Sequence, residues 1–176
     1  VQIRNEGDIV AGGAYIINGS HTFTGSTSVT IDLTNYAGGV DGNGEVYYDT
    51  FDKKIIGGFC GGYFDSWGRQ AGGVIQQLEG DVNLSIIGTT KTGQVIEFTD
   101  NVYGAAYNKD SSHISTGDVT VNISGGKYNG LVAGGVYATT GNTTAVSGDI
   151  AVTVKNAEVV GDLYGGHHIH GGGTAS

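Results

Sequence analysis

Proline and methionine are absent, and Cys60 is the only cysteine. A lone cysteine makes no internal disulfide and reads as a small buried hydrophobe. Eight lysines and arginines stand against 17 acids, for a net charge of −9. No basic patch forms on such a chain, which excludes nucleic acid as a partner and disfavours an anionic membrane surface. No apolar run reaches the ~20 residues of a spanning helix, so membrane insertion is not expected. No stretch places apolar residues at helical spacing. Neither a leader peptide nor an initiator methionine opens the chain, so a mature or excised segment is expected. What abounds is glycine, 34 residues, without the every-third-residue period of collagen. Alternating runs of valine, isoleucine and tyrosine argue against disorder.

Residues 117–135, GDVTVNISGGKYNGLVAGG, carry the clearest pattern. Val119, Val121 and Ile123 alternate with Thr120 and Asn122, so the three aliphatics share one face of a strand. Gly130, Val132, Gly134 and Gly135 follow. A shift of 31 residues returns Ile150, Val152, Val154, Gly161, Leu163, Gly165 and Gly166. A shift of −37 returns Val82, Leu84, Ile86, Gly93 and Val95, and one of −92 returns Val29, Ile31, Gly38, Val40 and Gly42. The first residues, VQIRN, resemble 152–156, and Gly7 to Gly13 resemble 131–135 or, with a small indel, 161–166. Residues 45–58 fill the gap between two copies. About six units result, in the period range of solenoids. Between them, 16–25 and 99–115 read as loops and 35–45 as a glycine turn.

A strand with one narrow apolar face buries it only by stacking on a neighbour. The expected fold is all-β: a single-stranded parallel β-helix (β-solenoid) of about six coils, one domain over residues 1–176, right-handed by the general preference of parallel crossovers. Glycines would serve tight corners and close backbone approach. In its acidic, Gly/Thr/Asn/Val-rich repeats the chain resembles, over nearly its whole length, the β-helical repeat regions of large bacterial surface proteins, the autotransporter-type passengers and adhesins. That resemblance implies an extracellular or cell-surface rod of bacterial origin, used for display, attachment or assembly. It brings no catalytic motif.

Candidate sites are few. Residues 55–74 are the least repeat-like, and Tyr63, Asp65, Trp67 and Arg69 form a candidate glycan-stacking or interface set there; an apolar loop cap is the plain alternative. Asp41, Asn43 and Glu45 space three oxygen side chains by two, as calcium loops do, although the rest of an EF-hand is missing and a glycine turn is the alternative. Asp81, Asp118 and Asp149 each follow a glycine. Stacked in register they would stand about 5 Å apart and repel by ~0.8 kcal/mol in water, which exposed turn residues tolerate and calcium between coils would remove. His168 and His170, beside His167, share a strand face and suit a transition metal; a solvated loop is the alternative. No cofactor is firmly indicated by these patterns, and calcium is the candidate they offer first.

No carboxylate pair is set by spacing for glycoside hydrolysis, and no nucleophile elbow or phosphate loop occurs. Arg69 near Asp65 is the only lyase-type candidate. The expected function is therefore non-enzymatic: an extracellular structural or adhesive rod, a segment or subunit of a longer array, stacking end to end into a filament. Solenoid ends expose unpaired strand edges, and no amphipathic cap is visible in the sequence. Val1 and Ile3 are expected to complete a coil of the next copy against Val152 and Val154 by strand addition, a head-to-tail contact that does not close. The expected partners are further copies of the chain and a glycan or surface ligand. The alternative class is a carbohydrate-binding or polysaccharide-cleaving β-helix built on Tyr63, Asp65, Trp67 and Arg69.

Overall fold

The computed structural model describes residues 9–13, 15–16, 21–61, 74–108, 111–138, 143–169 and 174–176. Among them there is no helix, and the named strands pair in parallel except for one hairpin. The alternating aliphatic runs form one four-stranded sheet, ordered Ile150–Lys155, Val119–Ser124, Val82–Ile87, Thr27–Asp32. Leu84 lies between Val29 and Val121, and Val121 lies next to Val152; Ile86 lies between Ile31 and Ile123, and Ile123 next to Val154. These are the partners that the sequence shifts predict. Residues Val82, Leu84, Ile86, Val119, Val121 and Ile123 are at most 2% exposed, while Asn83 and Asn122 between them face solvent. A slip of one residue would turn every aliphatic outward, so the pattern fixes the register.

Three further parallel sheets hold five strands each. One is Ile9–Ala11, Lys54–Ile56, Val102–Tyr103, Val132–Ala133, Leu163–Tyr164. The next is Tyr15–Ile16, Phe59–Gly61, Ala106–Asn108, Val136–Ala138, His168–Ile169. The third is His21–Phe23, Val74–Leu78, Ser111–Ser115, Thr143–Val146, Thr174–Ala175. A three-stranded sheet joins Glu97–Phe98, Lys127–Tyr128 and Glu158–Val159. The chain visits the sheets in the same order on successive passes, and each strand lies beside its counterpart from the previous pass. This all-β stack of parallel sheets is compatible with a β-solenoid.

Pairing corrects the second half of the repeat. Val132 lies beside Val102 and Leu163, and Val102 beside Ile55, whose other neighbour is Val10. Val40 and Val95, matched to Val132 in the sequence, do not join this sheet. Val40 pairs with Val46 in the antiparallel hairpin Gly39–Val40/Val46–Tyr47, and Val95 bridges Thr89 antiparallel. A Gly-x-Val match is common in a glycine-rich chain and says nothing about burial; Val40 is 66% exposed. Residues 45–58 are not a unit of their own, because Lys54–Ile56 is the strand reached after that hairpin. Residues 99–115 are not one long loop, since they hold Val102–Tyr103, Ala106–Asn108 and most of Ser111–Ser115; likewise His21–Phe23 is a strand.

The close approach expected of glycine occurs at several corners, and one of them is built from glycine on four passes. Gly12, Gly57, Gly104 and Gly134 stand one above another, facing the aliphatic sheet. A Cβ on Gly104 would meet the carbonyl oxygen of Gly134 and lie 2.7 Å from a methyl of Val121. Inside the stack, the Phe98 and Tyr128 rings lie face to face, 4.6 Å apart and 6° from parallel, with Phe51 tilted below them.

Candidate functional site

Four kinds of side chain repeat from pass to pass. The aliphatic row is the first. Val152 and Val154 pack against the core but are only half-buried, unlike the fully buried residues beside them in Val119–Ser124. Leu163, at the end of its own sheet, is 51% exposed.

The second row is carboxylates. The Asp118 N–H donates to Asp81 Oδ1 at 3.0 Å, and the Asp149 N–H donates to Asp118 Oδ1 at 2.9 Å. At the other end, the Asp81 N–H donates to Ser26 Oγ at 3.1 Å. Asp81 and Asp118 thus each satisfy an amide of the next pass, which offsets the like-charge repulsion of the column. This supports turn and ladder residues at these positions.

The third row is aromatic and lies outside the core. Tyr107 and Tyr137 stack at 4.7 Å and 9°, Tyr137 meets His168 at 5.3 Å, and His168 stacks on Tyr164 at 5.2 Å and 9°. These rings cover Ile56, Tyr103 and Ala133, which form an apolar seam separate from the main core. Lys54 lies 5.0 Å from the Tyr107 ring centroid and bonds Asp100 at 2.9 Å. Burial raises the pKa of the Tyr103 hydroxyl well above its ordinary value. Because the ring faces meet one another, the ladder presents edges rather than faces to solvent.

The fourth row alternates charge: Glu97, Lys127 and Glu158 are consecutive in register. Lys127 reaches Glu97 at 2.8 Å, and their hydrogen bond and charges lower the glutamate pKa and raise that of the lysine.

The sequence candidates fall differently. Tyr63, Asp65, Trp67 and Arg69 lie outside the described residues, as do Val1, Ile3 and His170. Asp41 Oδ1 accepts the N–H groups of Asn43 at 2.9 Å and Glu45 at 2.8 Å. Those bonds close the hairpin turn and hold the Asp41 pKa below the carboxylate range. The geometry thus supports the turn reading of residues 41–45. His168 belongs to the aromatic ladder. Its neighbour His167 accepts the Val136 N–H at Nδ1, at 3.1 Å, and burial lowers its pKa. Among the described residues no three His, Cys, Asp or Glu side chains converge as a metal site would require.

The aromatic and alternating-charge rows were missed by reading the sequence. A signal existed: Tyr107 and Tyr137, then Tyr137 and His168, are in register in the same sheet. The shift of 31 that aligned Val121 with Val152 also aligns Tyr137 with His168, whereas Tyr107 and Tyr137 stand 30 apart, a shift the aliphatic runs do not show. No family model, curated protein or solved structure matches the chain.

Proposed function

We propose that this chain is a non-enzymatic structural rod of a bacterial surface or extracellular space, a segment or subunit of a longer array that stacks end to end. Its backbone is taken as a right-handed parallel β-helix. Stiffness comes from hydrogen-bond ladders along the axis and from a continuous aliphatic stack. The observation that carries the proposal is the contrast within the aliphatic sheet: positions at most 2% exposed in Val82–Ile87 and Val119–Ser124 become half-exposed in Ile150–Lys155. Among the described residues that strand lies at the edge of its sheet, with its aliphatic row in register for another strand of the same kind. VQIRN, matching VTVKN at 152–156, would supply it from a second copy, with Val1 beside Val152 and Ile3 beside Val154.

Sedimentation over a wide concentration range, with electron microscopy, tests this. Fibres or length-distributed oligomers are expected. Val152→Lys with Val154→Lys should abolish them while circular dichroism stays that of the folded monomer. A chain that remains monomeric at every concentration overturns the proposal.

A further inference from the structure

The repeat is interrupted twice at the same corner, on neighbouring passes. After Thr27–Asp32 the chain leaves through residues 33–50, which include the antiparallel hairpin; after Val82–Ile87 it leaves through 88–96. In repeat proteins such departures map to one face and are commonly the binding face. The two insertions meet: the Lys91 N–H donates to the Thr34 carbonyl at 2.7 Å. Between them lies an open cleft of about 250 Å³, lined by Thr34, Asn35, Tyr36, Tyr48, Lys91 and Thr92, with Ala37 at its rim.

The lining divides into a buried floor and an exposed rim, where the Thr92 hydroxyl shares a hydrogen bond with Thr90 Oγ1 at 2.9 Å. Tyr36 is 5% exposed, and its hydroxyl donates to the Asp49 carboxylate at 2.9 Å, so its ring is held as a floor. Tyr48 meets it edge to face, with centroids 5.8 Å apart and planes at 81°, and remains half-exposed. Asn35, Lys91 and Thr92 are exposed around it. Lys91 makes no ion pair among the described residues. An aromatic wall, a ring of hydroxyl and amide groups, and one cation are thus brought to a single small cleft.

We propose that this cleft binds one sugar residue bearing a carboxylate, a uronic acid unit. The tyrosines take the apolar ring face, Asn35 and Thr92 take hydroxyls, and the Lys91 ammonium takes the carboxylate. The volume lies just under the ~300–1,000 Å³ of drug-sized ligand pockets, which suits one ring rather than an extended chain. A phosphate would demand more than one point charge: the lining offers a single cation, and the chain carries −9 overall. The inference is independent of end-to-end stacking.

Titration of the intact chain with glucuronate and galacturonate, followed by amide and aromatic NMR shifts, tests it; glucose, galactose and inorganic phosphate serve as comparisons. Saturable shifts at Tyr48 and residues 34–37 with a uronate, weaker by about tenfold or more with the neutral sugar, are expected. Lys91→Gln should erase that difference between acid and neutral sugar. Tyr48→Ala should abolish binding; because Tyr48 also packs on the core, Lys91→Gln, at an exposed tip, is the deciding variant. The proposal is overturned by no saturable shift, by equal response to neutral sugar or to phosphate, or by a Lys91→Gln chain that still prefers the acid.

Discussion

The passes that contain Val119–Ser124 and Ile150–Lys155 differ from the two before them at one corner. The later pair turns there within residues 125–126 and 156–157, through left-handed backbone at Gly125 (φ 69°), Gly126 (φ 90°) and Asn156 (φ 51°). The earlier pair makes its excursions instead. Packing records the difference. Tyr128, which follows the tight turn, lies 6° from parallel to Phe98, whereas Phe51 and Phe98, each following an insertion, are 37° apart. The insertions also carry Val40, Val46, Tyr47 and Val95, all well exposed. Each strand answers chiefly to its neighbours above and below, so a stacked fold absorbs an excursion at little cost to its ladders. Repetition fixes packing; interruption frees side chains to face outward.

The sharpest way to break this comparison is to add one methyl group to each region. Gly104→Ala puts a Cβ against the Gly134 carbonyl and a Val121 methyl, where neither backbone nor core can give way. A loss of about 3 kcal/mol is expected from such overpacking, more than the gain from stiffening the unfolded chain. Gly42→Ala, in the hairpin tip, meets nothing within 4 Å and sits at no positive φ. It should stay within about 0.5 kcal/mol of the parent. Urea midpoints at unchanged slope measure both. Equal losses would mean that the insertion is packed as tightly as the ladder.

The same division explains what could be read beforehand. The alignment of Val29, Leu84, Val121 and Val152 was legible because a strict period of two survives in every copy. Val10, Val132 and Leu163 were legible for the double glycine that follows each. The short strands Val102–Tyr103 and Ala106–Asn108 were not, since two or three residues hold too little alternation to separate a strand from a loop. The insertions were mistaken for repeats because Gly38 with Val40 and Gly93 with Val95 imitate the motif letter for letter, while burial, which distinguishes them, depends on partners far along the chain. The cleft at Tyr36, Tyr48 and Lys91 left no trace in sequence, because it exists only where two excursions from neighbouring passes meet. The stacked rings of Tyr107 and Tyr137 are register partners within one sheet, 30 residues apart, a shift that the aliphatic runs do not share.

Acid should separate the regions next. His113, wholly buried in Ser111–Ser115, has its pKa lowered by burial, with a contribution from nearby His167, from the ordinary 6.5 to about 3. Above pH 6.5 the ring is neutral whether folded or unfolded, and stability does not depend on it. Below that the unfolded chain takes up a proton that the folded chain refuses until about pH 3. Stability therefore falls with pH across this window. In the insertion, backbone hydrogen bonds in its own turn hold the Asp41 pKa below the carboxylate range, so Asp41 contributes above the ordinary carboxylate pKa and is lost only in stronger acid. Denaturant midpoints between pH 7 and 4 should fall for the parent and fall less steeply for His113→Asn. An unchanged slope would assign the acid sensitivity elsewhere.

The smallest expected effect tests whether the aspartates act along the axis or only within their own turns. Asp118→Ala removes the acceptor of the Asp149 N–H, a bond between residues on successive passes. Water can reach this exposed position, so a loss of about 1 kcal/mol is expected, with faster hydrogen exchange at the Asp149 amide. Asp118→Asn keeps an oxygen acceptor and should recover most of that loss. Asp41→Ala removes acceptors for Asn43 and Glu45 within one turn. It should speed exchange chiefly in the hairpin and move the global midpoint less than Asp118→Ala does. If Asp118→Asn proved as costly as Asp118→Ala, the column would depend on carboxylate charge rather than on hydrogen-bond acceptance, and a cation shared between passes would become the better account of why acids recur there.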